Sequence, residues 1–206
     1  MKNQFSMESF LERITELNFL YPNQIKVYKP VLNENIIMLN RYMPLELLPE
    51  LASLYRTSDG LSILDYCFVG CTNKKIINIE DCCEGLWTQY PNLRTKFFPL
   101  IITSSGEYFG YSIYNNNRSC IGYLSANKSS EILSITSSFL QFLLPFIEEI
   151  RITLEKSESK DEYYISRINW PVSLDFWFEK DQEIKRRYLS GEIKPPSWLN
   201  SALLRS

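Results

Sequence analysis

Five cysteines and no histidine frame the chemistry open to this chain of 206 residues. Cys67 with Cys71, and Cys82 with Cys83, can be drawn as a zinc site of four thiolates, but an adjacent pair and a three-residue gap meet the usual ligand spacing only in part. Buried free thiols are the simpler reading, since unpaired cysteine is among the most buried residue types. Cys120 makes the count odd, which argues against a disulfide framework where no export signal is visible. The missing histidine removes the commonest general base, the usual metal ligand and the side chain that titrates near neutrality. Asp65 and Glu107 are the carboxylates that could act as a glycosidase-like acid–base pair. Nothing in the sequence sets them side by side, however, and charges at strand edges are ordinarily solvated or paired. Seven glycines include no glycine-rich phosphate loop. The expectation is a protein without cofactor, metal or catalysis.

What remains are residue types that bind. Asp59-Gly60 could border a cleft, because loops held by a rigid scaffold often carry function; a helix stop is the stronger reading, since glycine so commonly follows a helix. Lys185-Arg186-Arg187-Tyr188 resembles a basic patch beside an aromatic ring. Glu179, Asp181 and Glu183 precede it on the same expected helix, and acid early with base late is the order that suits a solvated helix and its dipole. Trp170, Trp177 and Trp198 are more informative: such side chains dominate interface energetics, and they serve equally well to anchor a tail to its own domain. With Asp59, Asp65, Glu107 and Tyr108, they make up the expected partner-contacting set.

Twenty-two basic against twenty-four acidic residues give a net charge of -2, too weak a field to gather nucleic acid or anionic lipid. Residues 1–150 hold twelve basic and fifteen acidic groups, net -3, while the remainder holds ten and nine. Lys2, Glu8, Glu12, Arg13 and Glu16 interrupt any apolar run that a secretory signal would need. The uncharged stretch 132–147 contains serine, threonine, glutamine and proline, and falls short of the ~20 mainly apolar residues of a membrane span. A cytoplasmic protein that engages no membrane is expected.

The elements that must position these residues follow from periodicity. Ser6 can cap a helix carrying Met7, Phe10, Leu11, Ile14 and Leu17 on one face, ended at Tyr21-Pro22. Ile25 and Val27 alternate as a short strand does. Leu47, Leu48, Leu51, Leu54 and Tyr55 form a second helical stripe before Asp59-Gly60. Leu61 to Val69 suits a central strand, and Glu80-Asp81 opens a helix that buries Cys82, Cys83 and Leu86 before Pro91. Residues 97–102, 108–114 and 119–124 read as an antiparallel meander. Phe139, Phe142, Leu143, Phe146, Ile147 and Ile150 form a long helix over the sheet, with Pro145 expected to kink or restart it. Six charges among residues 155–162 mark a linker. The aromatic tail beyond it, 163–206, is too short for a core of its own.

This order of elements resembles a known family. Leu48-Pro49-Glu50-Leu51-Ala52-Ser53-Leu54-Tyr55-Arg56-Thr57-Ser58-Asp59-Gly60 resembles the helix followed by Asn-Gly of the SUKH superfamily, which includes the Smi/Knr-type domains. Phe97-Phe98-Pro99-Leu100 and Ser105-Gly106-Glu107-Tyr108-Phe109 are similar to its second signature, and the helix 138–150 to its closing helix. The resemblance covers residues 40–155; Asp59 stands where Asn is usual, Glu107 where Asp is usual, and the last fifty residues have no counterpart. It implies an α+β domain over residues 1–154, with a curved antiparallel sheet that is packed by helices and presents a concave binding surface. It also implies a non-catalytic role. Bacterial members are commonly immunity proteins that bind and block a toxin domain, and fungal relatives act as interaction modules in signalling. Both readings stand at this point, with a protein partner expected in either.

Overall fold

The computed structural model describes residues 5–42, 48–114, 118–126, 130–156 and 172–199. Helix α1 (Met7–Leu20) forms where its cap predicts: the Ser6 hydroxyl accepts from the Ser9 N–H at 3.2 Å, and Met7, Phe10, Leu11, Ile14 and Leu17 turn inward. After β1 (Ile25–Val27) come the short α2 (Asn33–Ile37), a 3-10 turn (Met38–Arg41) and α3 (Leu48–Thr57). Gly60, at φ +86°, turns the chain out of α3 into β2 (Leu61–Ile63), in a backbone region that glycine enters without a Cβ penalty. Then follow β3 (Tyr66–Phe68), α4 (Ile79–Gln89), β4 (Phe97–Thr103), β5 (Tyr108–Tyr114), β6 (Arg118–Leu124) and β7 (Leu133–Thr136). The seven strands pair antiparallel in chain order, as one long curved sheet not closed into a barrel; the protein is α+β.

Three elements differ from the sequence expectation. Leu61 to Val69 is a hairpin and not one strand: Ser62 pairs with Cys67 and Ile63 with Tyr66, around a turn at Leu64-Asp65. Leu64 adopts φ +54°, a left-handed conformation that leucine rarely takes, so residue type gave no turn signal there. Strand β7 lay hidden in the uncharged run, because four residues are too few to show a period. Pro145 does not restart its helix: α5 runs unbroken from Phe139 to Lys156, with the proline buried inside it. The proline forgoes one intrahelical bond, to the carbonyl of Gln141. Residues 155 and 156 of the expected linker are thus helical, and the rest of it lies outside the described residues.

One sheet face carries the main core. Phe109 packs on Phe142, Tyr111 on Phe139, Tyr66 and Phe68 on Phe146, and Phe10 of α1 on Phe68. The other face is covered by α4 and the 3-10 turn Pro91–Leu93 after it, where Leu86 and Leu93 meet Phe97 and Leu124, and the Trp87 indole donates to the Phe97 carbonyl at 3.0 Å. The central residues of β5 and β6, and all of β7, are buried. Both faces of the sheet are therefore covered along this stretch.

The C-terminal extension docks on this body. The helix expected across residues 179–187 breaks at Asp181 into α6 (Leu174–Lys180) and α7 (Gln182–Leu189). Asp181 is buried and caps α7, accepting from the Glu183 and Ile184 N–H groups and, across the fold, from the Ser137 N–H at 2.5 Å. Strand β7 ends the sheet, and Tyr188 donates its hydroxyl to the Ser134 carbonyl at 2.8 Å. A sheet edge that would otherwise be open is thereby occupied.

Candidate functional site

Asp59 is a structural residue. Its side chain is buried, and its carboxylate accepts from the Cys71 N–H at 2.5 Å, the Thr72 N–H at 3.1 Å and the Thr72 hydroxyl at 2.7 Å. This ties the loop after β3 back to the end of α3 and takes Asp59 off the surface expected to meet a partner. Removing a charged acceptor that makes several part-buried bonds is costly, since hydrogen bonds to charged groups are the stronger ones. Asp59→Ala should lower the unfolding free energy by ~2–3 kcal/mol and release the amides of Cys71 and Thr72 to fast hydrogen exchange; unchanged protection at these two amides would refute the assignment.

Asp65 and Glu107, which the sequence could not place, stand at one end of the sheet. The Ser104 N–H, in the β4–β5 turn, donates to the Asp65 carbonyl at 3.1 Å. Asp65 occupies the exposed turn between β2 and β3; partial burial of its carboxyl, with the charge of Glu107 adding to it, raises its pKa. Glu107 is engaged by its own turn and by the neighbouring β6: its carboxylate accepts from the Tyr123 hydroxyl and from the Ser105 hydroxyl, and its N–H donates to Thr103 Oγ1 at 3.1 Å. Burial and this contact push the Tyr123 hydroxyl well above its ordinary value. A carboxylate held by two hydroxyl donors reads as a turn clamp. Tyr108 is half-buried between the two hydrophobic clusters, beneath α4.

The thiols are not poised for attack. Burial raises all five, Cys71 to about 11 with the Asp59 charge contributing, Cys82 to about 12 and Cys120 to about 11. Cys120 donates to the Ser134 hydroxyl at 3.2 Å. Among the described residues, no three side chains of metal-binding type converge on a common point.

Of the tryptophans, Trp177 is fully buried, its ring stacked 6.0 Å from Phe142, so it has no surface to offer. Trp198 is half-buried against the main core, next to Ser197, whose N–H and hydroxyl both donate to Glu131. Trp170 lies outside the described residues. The basic patch is likewise spent locally: Arg186 and Arg187 both pair with Glu183, which holds that carboxyl down to about 2. Arg187 also donates to the Tyr114 hydroxyl and to the Ser119 carbonyl, fastening α7 to the sheet.

The surface that sequence reading missed is on α1. Phe19 and Leu20 are 85% and 58% exposed, while the five apolar residues of the recognised stripe are buried. Their signal was only half present: Phe19, two after Leu17, falls off the three-four spacing of the buried face, whereas Leu20, three after Leu17, continues it at the helix end. Beside them, between α1 and α5, runs a groove of about 370 Å³ floored by Leu17 and Ile147. Among the described residues, no helix is long and apolar enough to cross a membrane. Compared with models of known protein families and with curated proteins, the chain matches none.

Proposed function

We propose that the protein is a non-catalytic binding domain of SUKH type, an immunity protein that binds and occludes a toxin domain. The observation that carries this reading is where the chemistry-bearing side chains are spent. Asp59 and Glu107 clamp loops, the thiols are raised by burial, and the arginines of α7 hold the extension, while large apolar side chains on α1 are left in solvent. Exposed apolar patches of this kind mark interaction surfaces more often than sites of reaction.

What supports the family part of this reading is the position of the quoted motifs at element junctions. Asp59-Gly60 stands at the passage from α3 to β2, Phe98-Pro99 lies in β4, Gly106-Glu107 stands in the β4–β5 turn, and α5 follows the last strand. The alternative, a scaffold module whose tail recruits other proteins, is less well supported, because Trp177, Ile184 and Tyr188 of that tail are buried against its own sheet.

The test is co-expression of the full chain with the product of the adjacent gene. Rescue of growth together with co-purification of the pair is the expected result. A neighbour that is harmless, or one that is toxic but never captured, rules the immunity reading out.

A further inference from the structure

We infer that the groove between α1 and α5, together with the outer face of α1, is the docking surface, and that it takes a protein segment presenting an apolar side chain flanked by lysines or arginines. This rests on the binding reading above and names its surface and the chemistry of its partner.

The apolar half of the argument is geometric. Leu17 and Ile147 form a buried floor, Leu20 stands exposed at the wall, and Phe19 extends the apolar surface outward from the groove. A side chain entering there would cover Leu20 and Phe19 while meeting an aliphatic base, the arrangement found at interface centres.

The electrostatic half decides the occupant. Glu8, Glu12 and Glu16 are four residues apart, so they form one row along α1 with about 6 Å between successive members. Like charges at that spacing oppose each other, and among the described residues no cation forms an ion pair with any of the three. The two guanidiniums at the groove are already committed: Arg13 to Glu148 at 2.5 Å, and Arg151 to Glu148 at 3.2 Å and Glu155 at 2.7 Å. Five carboxylates against two guanidiniums give this face -3, in a chain whose total is -2. The weak net charge therefore conceals a concentrated local one, with members spaced inside a Debye length of ~8 Å. A second copy of this chain would bring the same acidic row to a two-fold contact, acid against acid, which disfavours self-association. A basic partner relieves the repulsion along α1 and is steered toward it.

The probe is a fluorescein-labelled amphipathic helix of leucine and lysine, read by anisotropy against the full chain, with a leucine and glutamate helix as its mirror in charge. The lysine peptide is expected to bind, with affinity that falls as salt rises, and the glutamate peptide is not. Leu20→Asp, and separately Glu12→Lys with Glu16→Lys, should each weaken binding about tenfold or more. Thermal melting of each variant checks folding; should Leu20→Asp melt early, Phe19→Ser at the more exposed position replaces it. The inference is overturned if the lysine peptide does not bind, if both peptides bind alike, if the variants bind as the wild type does, or if sedimentation shows a dimer that Leu20→Asp dissociates. Failure of the two readings can be told apart. A toxin neutralised equally well by wild type and by Leu20→Asp removes this surface and leaves the immunity reading standing. Groove-dependent peptide binding beside a harmless neighbouring gene product does the reverse.

Discussion

Gly110→Ala should prevent β4 and β5 from pairing in their native register, with a loss of ~3 kcal/mol or more, the upper end of what overpacking costs. A Cβ at residue 110 would lie 2.1 Å from the Phe98 carbonyl oxygen and 2.8 Å from the Pro99 Cα. Both are backbone atoms, so no rotamer change relieves the clash, and β4 itself would have to move. It cannot move freely: Phe98 pairs with Tyr111 and Pro99 with Gly110, the register then shifts between Pro99 and Ile101, and Trp87 of α4 is bonded to the carbonyl of Phe97. Gly110 also faces Gly122 across β5 and β6, where an added Cβ would meet Ile132 at 2.3 Å. Urea unfolding followed by tryptophan fluorescence measures the effect, and Gly85→Ala is the control. Gly85 lies inside α4 with open space where a Cβ would sit, so its replacement should leave stability unchanged or raise it by up to ~1 kcal/mol. Equal midpoints for Gly110→Ala and wild type would show that the close approach is not a constraint.

Trp177→Ala should cost ~3–5 kcal/mol, the range for emptying a buried aromatic position. Its ring is fully buried, stacked on Phe142 of α5 and set edge-on to Phe176. Phe142 in turn touches Phe109 and Phe146, so the cavity would open in the middle of the main core and not at a margin. Because total stabilities of such domains are ~5–15 kcal/mol, the variant should melt in one transition at a clearly lower midpoint, with the extension and the sheet lost together. If the sheet kept its wild-type midpoint while limited proteolysis clipped residues 172–199, the extension would be an independent appendage and this account of it would fail.

How much of this could be read in the sequence depends on the length scale of each signal. Helices α1, α4 and α5 were legible because each repeats its apolar positions over three or more turns, and Ser6 announced the start of the first. The strands from β4 to β6 were legible as runs of six or seven residues, short by one at an end of β4 and of β6. The β2–β3 hairpin was not, since its turn relies on Leu64 in a conformation that leucine does not advertise. The acid-then-base order of residues 179–187 suggested one helix, whereas Asp181 ends one and begins the next through a bond to Ser137 that no local pattern encodes. For the candidate site, residue type misled wherever a polar or aromatic side chain had a partner far along the chain. Asp59 and Trp177 look like binding residues until Thr72 and Phe142 are placed against them. Phe19 and Leu20 went unremarked because exposure at a helix end depends on what packs there, which residue type does not encode.

The seal that Asp181 and Tyr188 place over the last strand has a cost in time. Thr136 precedes Leu199 by 63 positions, which at ~5–20 residues per second of synthesis is several seconds of translation. Through that interval the nascent chain carries the Ser134 carbonyl and the Ser137 amide without their eventual partners, and the core without Trp177. Ribosome stalling inside the final third of the message would prolong this vulnerable window, turning a translation fault into edge-to-edge aggregation of unfinished chains.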